Sequence, residues 1–322
     1  MILIVGGAGY IGSHTLKHLL DQGYECIVVD NLVYGHKDAI DDRAVFIQAD
    51  LMDKESLSSI FESFCIKAVI HFAAFAYVGE SVTNPQKYYQ NNVCGTLNLL
   101  DIMLENNVKK IVFSSTCATY GEPQYTPIDE KHIQNPINPY GHSKLMIEQI
   151  FADYNKAYGL QYIALRYFNA AGANKNGLIG ESHTPETHLI PLVLKAIKGD
   201  ISIIKVFGTD YETPDGTCIR DYVHVDDLAI AHRIAMEKLD SYSGYINLGT
   251  GIGNSVKEII RAAEIVSGKT CPVEYTTRRA GDPARLFADN SKAKDILEWR
   301  PEYIEIRDII QTAWDWENNR KY

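Results

Sequence analysis

The side chains best suited to move a proton are a tyrosine and a lysine four positions apart, Tyr140 and Lys144. Positions i and i+4 share one face of a helix, so the phenol and the ammonium can face the same bound molecule. A free tyrosine has a pKa of about 10, too high for a base at neutral pH, and a nearby cation lowers that value. A drop of about 3 units corresponds to roughly 4 kcal/mol in favour of the phenolate. The pair predicts acid–base chemistry, although the same spacing also occurs at the start of ordinary amphipathic helices.

Three hydroxyl side chains, Ser114, Ser115 and Thr116, close an apolar run of the sequence. If that run is a strand of a parallel sheet, they lie at its carboxyl edge, where doubly wound sheets bind ligands. A hydroxyl there can hydrogen-bond a reacting oxygen and relay a proton to Tyr140. The alternative interpretation is a simple turn cap.

A glycine-rich turn near the N-terminus has the G-x-G-x-x-G spacing of a dinucleotide site, at Gly7, Gly9 and Gly12, with Gly6 in front of it. Glycine suits such a turn because a pyrophosphate must approach the backbone without a Cβ in the way. The helix that starts near Tyr10 then offers free N–H groups to the phosphate. Asp30 closes the next apolar run, at a distance that suits a carboxylate on the adenosine ribose, and this favours NAD over NADP. A tight glycine turn without a ligand is the alternative.

Asp50 closes the third apolar run in the same manner. Its carboxylate can reach the adenine amino group, or it can simply cap the end of the strand. The sequence leaves both interpretations open.

The elements that must position these residues follow an alternating pattern. Apolar, β-branched runs at 2–5, 26–29, 45–49, 68–72 and 110–113 are separated by helical segments, and a further run at 162–167 follows a predicted helix at 143–158. Continuous hydrophobic strands that alternate with helices indicate a parallel sheet covered on both faces. With right-handed crossovers, the prediction is an α/β fold with a doubly wound parallel (Rossmann) sheet.

After Asn169 the regular alternation stops. Residues 170–187 and 211–216 are rich in turn-forming residues and are predicted to be loops. Helices are predicted at 189–198, 225–239 and 256–267, and strands at 203–207, 245–248 and 273–277, with 245–248 returning to the main sheet. We therefore expect a dinucleotide-binding domain at 1–170 and a smaller C-terminal α/β substrate domain at 171–322, of which parts of about 222–262 pack back on the first domain.

Composition narrows the functional classes. The chain has 322 residues, 46% of them hydrophobic, and a formal charge of −10. A nucleic-acid surface needs clustered Lys and Arg, so we expect no nucleic-acid partner. No apolar run approaches the roughly 20 residues of a membrane span, and the first residues predict a strand rather than a signal peptide, so we expect a cytoplasmic protein without a membrane partner.

Neither cysteines nor histidines predict a metal or disulfide framework. The six cysteines are scattered without a C-x-x-C pair, which is typical of reduced thiols. His14 and His18 stand one helical turn apart, but Thr15 occupies the place where a metalloprotease motif has Glu. We expect no metal site.

The sequence resembles the extended short-chain dehydrogenase/reductase family, within its branch of nucleotide-sugar 4-epimerases, along essentially the whole chain. Besides the glycine turn, the resemblance rests on His71-Phe72-Ala73-Ala74, Val78-Gly79-Glu80-Ser81, Tyr88-Tyr89-Gln90-Asn91-Asn92-Val93, Phe113-Ser114-Ser115-Thr116 with Tyr120-Gly121, Asn138-Pro139-Tyr140-Gly141, Arg166-Tyr167-Phe168-Asn169, Asp215-Gly216-Thr217-Cys218-Ile219-Arg220-Asp221-Tyr222-Val223-His224-Val225 and Arg278-Arg279-Ala280-Gly281-Asp282-Pro283.

The resemblance implies tightly held NAD and the interconversion of UDP-glucose and UDP-galactose through a transient 4-keto sugar. It makes Tyr140 the base on the sugar 4-hydroxyl, Lys144 the group that lowers its pKa and bonds the nicotinamide ribose, and Thr116 the family's Ser or Thr. The implied cofactor residues are Gly6, Gly9, Tyr10, Ile11, Gly12, Asp30, Asn31, Asp50, Leu51, Phe72, Ala73, Ala74, Asn92, Ser114, Tyr140, Lys144 and Tyr167. The implied UDP-sugar residues are Thr116, Tyr140, Asn169, His188, Leu189, Val206, Phe207, Arg220, Arg279, Asp282 and Leu286. A homodimer is also implied, formed by the helices around 88–106 and 143–158, although both could simply cover the core.

Several positions depart from the family pattern or refine the expectation. Ala76 replaces a Lys that many epimerases direct at the cofactor. Cys117 and Ala118 stand where dehydratases carry an acidic pair, which disfavours dehydration. Leu286 occupies the position beside the sugar's carbon-2 substituent, where a bulky Tyr excludes N-acetyl sugars, so UDP-GlcNAc and UDP-GalNAc are possible further substrates. The alternatives are a UDP-glucuronate epimerase or decarboxylase of the same family, and a catalytically silent NAD-binding protein.

Overall fold

The computed structural model describes residues 1–279 and 282–322. Its strands are, in chain order, β1 (Ile2–Val5), β2 (Cys26–Asp30), β3 (Val45–Gln48), β4 (Ala68–His71), β5 (Lys110–Thr116), β6 (Gln161–Tyr167), β7 (Asn169–Ala171), β8 (Ile204–Phe207), β9 (Ile219–His224), β10 (Gly244–Leu248), β11 (Gly253–Ser255), β12 (Val273–Thr276) and β13 (Arg285–Leu286).

The α-helices are α1 (Tyr10–Asp21), α2 (Lys54–Ser63), α3 (Val78–Thr83), α4 (Pro85–Tyr88), α5 (Gly95–Glu105), α6 (Pro139–Tyr158), α7 (Leu189–Lys198), α8 (Val225–Lys238), α9 (Val256–Ser267), α10 (Ser291–Ile296) and α11 (Ile306–Asn318). A π-helical turn, Tyr89–Cys94, joins α4 to α5, and single 3₁₀ turns occupy Lys37–Ala39 and Cys117–Thr119. No helix of the described residues is both long and apolar enough to cross a membrane.

The main sheet has seven parallel strands in the order β10-β6-β5-β4-β1-β2-β3. Its strands alternate their side chains between two apolar layers: Ile2 and Ile4 pack on one side with α1 and α8, and Leu3 and Val5 on the other with α2, α5 and α6. Burial on both faces explains why the central residues of these strands are mainly apolar, with the polar residues concentrated toward the strand ends. The predicted doubly wound Rossmann sheet is confirmed.

The strand order reverses between β1 and β4, which are neighbours in the sheet although two strands separate them in sequence. Doubly wound sheets bind ligands in the crevice at such a switch point, outside the carboxyl ends of the strands. The turn after β1 begins at Gly6 and the segment after β4 begins at Phe72, and both border this crevice.

Helix α6 begins at Pro139, four residues before its predicted start at 143. The Asn138 side chain accepts a hydrogen bond from the Gly141 N–H, Pro139 occupies the first turn, and Gly159 ends the helix in the left-handed conformation, with φ of 74°. The earlier start places Tyr140 in the first turn, on the same helix as Lys144.

The C-terminal half forms two small sheets. Strands β11, β9 and β13 lie side by side with β7 paired to β9, and β8 pairs in parallel with β12. Strand β7, within the segment predicted as a loop, forms because it pairs with β9. Helices α7, α9 and α11 enclose a separate apolar core.

Within 222–262, helix α8 and strand β10 are the parts that pack on the main sheet. Helix α8 lies against α1, and β10 extends the sheet beside β6. Helix α9 instead packs with α7 and α11, because Ile259, Ile260 and Ala263 are buried in the C-terminal core. The division into domains at 170 remains a prediction.

Candidate active site

The glycine turn after β1 is shaped by close backbone contacts. Gly6 has φ of +83°, and a Cβ on it would lie 2.5 Å from the Ala73 nitrogen. A Cβ on Gly12 would overlap the Gly6 carbonyl oxygen. Gly9 precedes the first turn of α1, which contains no acidic residue and receives no side-chain cap. The turn therefore leaves the N–H groups of α1 available to an anion, and its backbone can be approached closely.

A cleft runs along the switch point above this turn. Of the predicted cofactor residues, it is lined by Gly6, Gly9, Asp30, Asn31, Leu51, Phe72, Ala73 and Ala74. Asp30 accepts hydrogen bonds from the N–H groups of Ala8, at 3.0 Å, and Leu32, at 2.8 Å. These bonds fix the carboxylate at the end of β2 and leave it further acceptor capacity, since a carboxylate has about four lone-pair sites.

Asp50 and Asn31 interact with each other at the far end of the cleft. The Asn31 amide donates to Asp50 Oδ2 at 2.7 Å, and Asp50 Oδ1 accepts from the Met52 N–H at 2.8 Å. Asp50 therefore caps the strand end, one of the two roles left open by the sequence. Its contact with adenine stays a prediction.

Asn92 is buried and its amide group is fully engaged within the protein. It exchanges two hydrogen bonds with the backbone of Phe75, at 2.9 and 3.0 Å, and donates to Ser143 Oγ at 3.1 Å. It thus ties the segment after β4, which lines the cleft, to helix α6. This geometry favours a positioning role over the direct cofactor contact implied by the resemblance.

The cleft also includes residues that the sequence analysis missed, Val33, Tyr34, Gly35, Phe75 and Asn91. Lys87 donates to the Tyr34 hydroxyl at 3.0 Å and lies 4.1 Å from the centre of the Phe75 ring. Lys87 thus supplies a cation beside Tyr34 and Phe75 of the cleft, although the lysine that many epimerases have at position 76 is replaced by alanine. Because Lys87 lies eleven positions after Ala76 and belongs to no recognised motif, the sequence does not indicate its contact with Tyr34 and Phe75.

The predicted catalytic side chains converge at the carboxyl end of β5. The Lys144 ammonium donates to the Ser114 carbonyl at 2.7 Å and is buried. Thr116 lies close enough to Tyr140 to lower the pKa of its phenol, and its hydroxyl accepts from the Ala118 N–H at 3.1 Å. Ser114 and Tyr167 are joined through their hydroxyl groups. The structure therefore brings all five of these side chains to one place.

The electrostatics of the pair differ from the sequence expectation. Burial raises the pKa of Tyr140 to about 12, and the nearby Thr116 side chain offsets part of that rise. Burial also lowers the pKa of Lys144 to about 7, against the opposing effect of Glu148. Desolvation outweighs the charges that the chain places near either group. The chain by itself therefore keeps Tyr140 protonated near neutral pH, and phenolate formation needs a further cation.

Behind the catalytic residues lies a buried ion pair that the sequence analysis did not identify. Glu148, one turn after Lys144, binds Arg166 of β6 with both carboxylate oxygens, at 2.6 and 2.9 Å. It also accepts from Ser115 Oγ at 2.5 Å, and Arg166 donates to the Tyr120 hydroxyl at 3.0 Å. This network fastens α6 to β5 and β6 directly beneath Tyr140 and Thr116.

The predicted substrate residues of the C-terminal half form two groups. Arg220 pairs with Asp282 and is in register with Leu286 across β9 and β13, and its charge acts on the thiol of Cys117, next to Thr116. Arg279 lies 3.9 Å from the centre of the Phe207 ring, beside Val206 on β8. The Arg220–Asp282 ion pair differs from the separate roles implied by the resemblance. Ala280 and Gly281 of the same motif lie outside the described residues.

Asn169 and His188 make contacts within the protein. The Asn169 amide donates to the Asp221 carbonyl at 3.0 Å. His188 precedes Leu189, the first residue of α7, and its Nδ1 lies 2.7 Å from Glu181 Oε1. Their contacts with substrate stay predictions.

His14 and His18 bind other parts of the protein. His14 Nδ1 donates to the Tyr10 carbonyl at 2.7 Å, and His18 Nε2 accepts from Arg233 at 3.1 Å.

Comparisons with known proteins agree with this arrangement. The model of the NAD dependent epimerase/dehydratase family matches residues 2–249. A curated UDP-glucose 4-epimerase of Halalkalibacterium halodurans is 53% identical, over 100% of this chain and 96% of that protein. A crystal structure of UDP-glucose 4-epimerase from Brucella ovis in complex with NAD has a TM-score of 0.95 and 51% identity, with 97% of each chain covered. That of the Bifidobacterium longum enzyme in complex with NAD+ and UDP has a TM-score of 0.93 and 40% identity, over 99% of this chain and 98% of that one.

Proposed function

Because the chain belongs to the NAD-dependent epimerase/dehydratase family, we propose that it interconverts UDP-glucose and UDP-galactose by inverting carbon 4 of the sugar. The observation that carries the proposal is the convergence of Tyr140, Lys144 and Thr116 at the carboxyl edge of the sheet, beside the glycine-lined cleft. Related enzymes of this length and fold bear that activity in their names.

When bound, NAD would supply a hydride acceptor and donor for carbon 4 of the sugar, and its cationic ring would supply the charge that favours the Tyr140 phenolate. The glycine turn and Asp30 fit the pyrophosphate and the ribose of this cofactor. Tyr140 removes the proton of the 4-hydroxyl and later restores it, and because the hydride also returns to carbon 4, no net redox change occurs. Thr116, which lies beside Tyr140, holds the sugar oxygen and shares its proton.

Lys144 acts on Tyr140 through its position and charge. Its ammonium is held by the Ser114 carbonyl and, with a pKa lowered to about 7 by burial, changes charge near neutral pH. In the NAD complex the cofactor ribose hydroxyls add acceptors for this ammonium, so we expect them to favour its charged form.

The UDP portion lies toward the C-terminal half. Arg220 and Arg279 are the cations suited to a diphosphate, since guanidinium groups bind it in bidentate fashion. Arg220 already pairs with Asp282, so substrate binding must compete with that ion pair or redirect it to the uridine ribose.

The test is incubation of the purified protein with UDP-galactose, UDP-GlcNAc and UDP-glucuronate in separate reactions, without added NAD. We expect UDP-glucose from the first. Tyr140→Phe should lose epimerisation by at least about a hundredfold while retaining NAD, which is measured after denaturing the protein. The matched control is Tyr158→Phe, at the exposed end of the same helix. Undiminished turnover by Tyr140→Phe would refute the assigned role, and turnover of UDP-glucuronate alone would replace the proposed substrate.

We also propose a cytoplasmic homodimer that pairs through the helices around 88–106 and 143–158. Met146 and Tyr158 of α6 and Val82 of α3 are exposed apolar side chains on neighbouring helices, and the cysteines are free, as in a reducing compartment. Light scattering should give twice the chain mass, and Met146→Glu should give the monomer. A monomeric parent protein would overturn the proposal.

A further inference from the structure

A compact group of two glutamates and two histidines lies in the segment between β7 and α7. It comprises Glu181, His183, Glu186 and His188, in the pattern E-x-H-x-x-E-x-H. Both carboxylate side chains are almost fully buried, whereas His188 is half exposed. One ligand atom from each residue lies within 4.8 Å of all the others.

The spacing of these atoms matches a four-coordinate metal site. His183 Nδ1 lies 3.2 Å from Glu181 Oε1 and 3.7 Å from Glu186 Oε2. His188 Nδ1 lies 2.7 Å from Glu181 Oε1 and 3.1 Å from Glu186 Oε1. Zinc–ligand bonds of about 2.0–2.2 Å in a tetrahedron place neighbouring ligand atoms about 3.3–3.6 Å apart. The two His183 separations lie near that value, whereas the two His188 separations are shorter, so a bound ion would have to move the half-exposed His188 imidazole away from the carboxylates.

The second observation is that buried atoms of the group lack hydrogen-bond partners. Glu181 Oε1 and His183 Nδ1 are both buried, and neither makes a hydrogen bond, although they lie only 3.2 Å apart. Their close approach is not aligned as a donor and an acceptor. Buried polar atoms are almost always satisfied, so this carboxylate oxygen and this imidazole nitrogen need a shared cation, which is either a proton or a metal ion.

We propose that Glu181, His183, Glu186 and His188 bind one Zn²⁺ ion. Two imidazoles with two carboxylates suit a borderline transition metal rather than Mg²⁺ or Ca²⁺, which prefer oxygen ligands alone. Four protein ligands fill a tetrahedral shell, which is typical of a structural site and not of a catalytic one. The half-exposed imidazole of His188 provides the entry path for the ion. The sequence-based prediction of no metal site rested on the spacing of His14 and His18, which lie outside this segment.

The surrounding contacts define what the ion would fasten. The His183 ring packs against Tyr10, in the first turn of α1, at 6.1 Å between ring centres. The Glu181 carbonyl accepts from Trp316 of α11 at 2.9 Å, and the Ser182 carbonyl lies 3.0 Å from His36 Nε2. The zinc therefore ties the segment before α7 to α11 and to the residues around the glycine turn. Its loss should loosen this junction and weaken retention of NAD.

The experiment uses the full-length protein without a histidine tag, expressed with zinc in the medium and dialysed. We expect about one zinc ion per chain by mass spectrometry of the metals. A chelator should lower the thermal midpoint, and added Zn²⁺, but not Mg²⁺, should restore it. Cobalt substituted for zinc should give the visible absorption of a tetrahedral site, a readout that needs no variant and is independent of epimerase activity.

His183→Gln and Glu181→Gln should each lose the bound zinc and the response to the chelator. His18→Gln and Glu298→Gln, a histidine and a glutamate outside the group, should retain both. Wild-type protein with less than about a tenth of an ion per chain and no midpoint shift on adding zinc would show an ion-pair cluster only and overturn the proposal. Stoichiometric iron, copper or nickel in place of zinc would overturn the identity of the metal.

Discussion

The buried ion pair beneath the catalytic residues offers the sharpest test of how the site is held together. Glu148 receives four hydrogen bonds, two from Arg166, one from Ser115 and one from Gln134 at 3.0 Å. Both members of the pair have side chains only 1% exposed. Glu148→Gln keeps the shape of the side chain and removes its charge, which leaves the Arg166 guanidinium buried and uncompensated.

Removal of one partner of a buried pair costs about 3–5 kcal/mol. Because the Gln amide oxygen can still accept from Arg166, we expect the lower end, about 3 kcal/mol of the free energy of unfolding. The double variant Glu148→Leu with Arg166→Met removes both charges, but it leaves Ser115 and Gln134 without their Glu148 partner at roughly 1–3 kcal/mol, whereas Tyr120 keeps its hydrogen bond to Asn247. The double variant should therefore be no less stable than Glu148→Gln. Its loss of unfolding free energy should be clearly smaller than the sum of the losses in Glu148→Leu and Arg166→Met.

The assay is urea unfolding of the NAD-loaded protein followed by tryptophan fluorescence, for the parent, each single variant and the double variant. Asp101→Asn is the matched control, since it breaks the exposed Lys54–Asp101 pair and should cost less than about 1 kcal/mol. Because Ser115 adjoins Thr116, kcat should also fall in Glu148→Gln. A Glu148→Gln cost as small as the control's, or additive single changes, would refute the reasoning.

Three further predictions concern the cleft, the sugar pocket and pH. Gly12→Ala places a Cβ against the Gly6 carbonyl and should abolish NAD retention after purification. Gly79 has open space around it, so the control Gly79→Ala should retain NAD. Equal NAD content in the two variants would contradict this prediction. Leu286→Tyr should block any turnover of UDP-GlcNAc while sparing UDP-galactose, measured by product analysis, and unchanged turnover of the N-acetyl sugar would contradict the gatekeeper assignment. Burial lowers the pKa of His232 to about 4. Between pH 6.5 and 4 the unfolded chain therefore binds a proton that the folded chain does not bind. As the pH is lowered through this range, the free energy of unfolding decreases by up to roughly 3 kcal/mol. His232→Leu should flatten that part of the urea-midpoint profile, and an unchanged slope would be the contrary result.

The features predicted correctly from the sequence are those encoded locally. The G-x-G-x-x-G spacing and Asp30 follow from short segments with fixed geometry, as does the shared face of Tyr140 and Lys144. The start of α6 was also readable, because Asn138-Pro139 is a helix-start signal that the predicted boundary at 143 passed over.

The remaining features depend on contacts between distant parts of the chain. Glu148 and Arg166 are 18 positions apart, and only the docking of α6 on β6 brings them together. Strand β7 exists because of β9, about 50 residues later, so its own sequence resembles a loop. The E-x-H-x-x-E-x-H pattern has no helical period, and its four side chains meet only when the segment folds against Tyr10 and α11.

The pKa of Tyr140 shows why a motif alone does not determine chemistry. A lysine one turn away predicts a lowered value, but Lys144 directs its ammonium to the Ser114 carbonyl, and burial dominates both groups. The reactive state is therefore a property of the cofactor complex and not of the chain.

The packing of α8 and β10 on the main sheet determines whether the first 170 residues can fold without the rest of the chain. A fragment that ended near residue 170 would leave β6 as an unpaired edge and uncover the apolar face of α1 that α8 protects. Exposed edge strands recruit other chains, so such a fragment should aggregate rather than fold. We therefore expect that gene fusion or recombination can move the first 170 residues to another protein only together with α8 and β10.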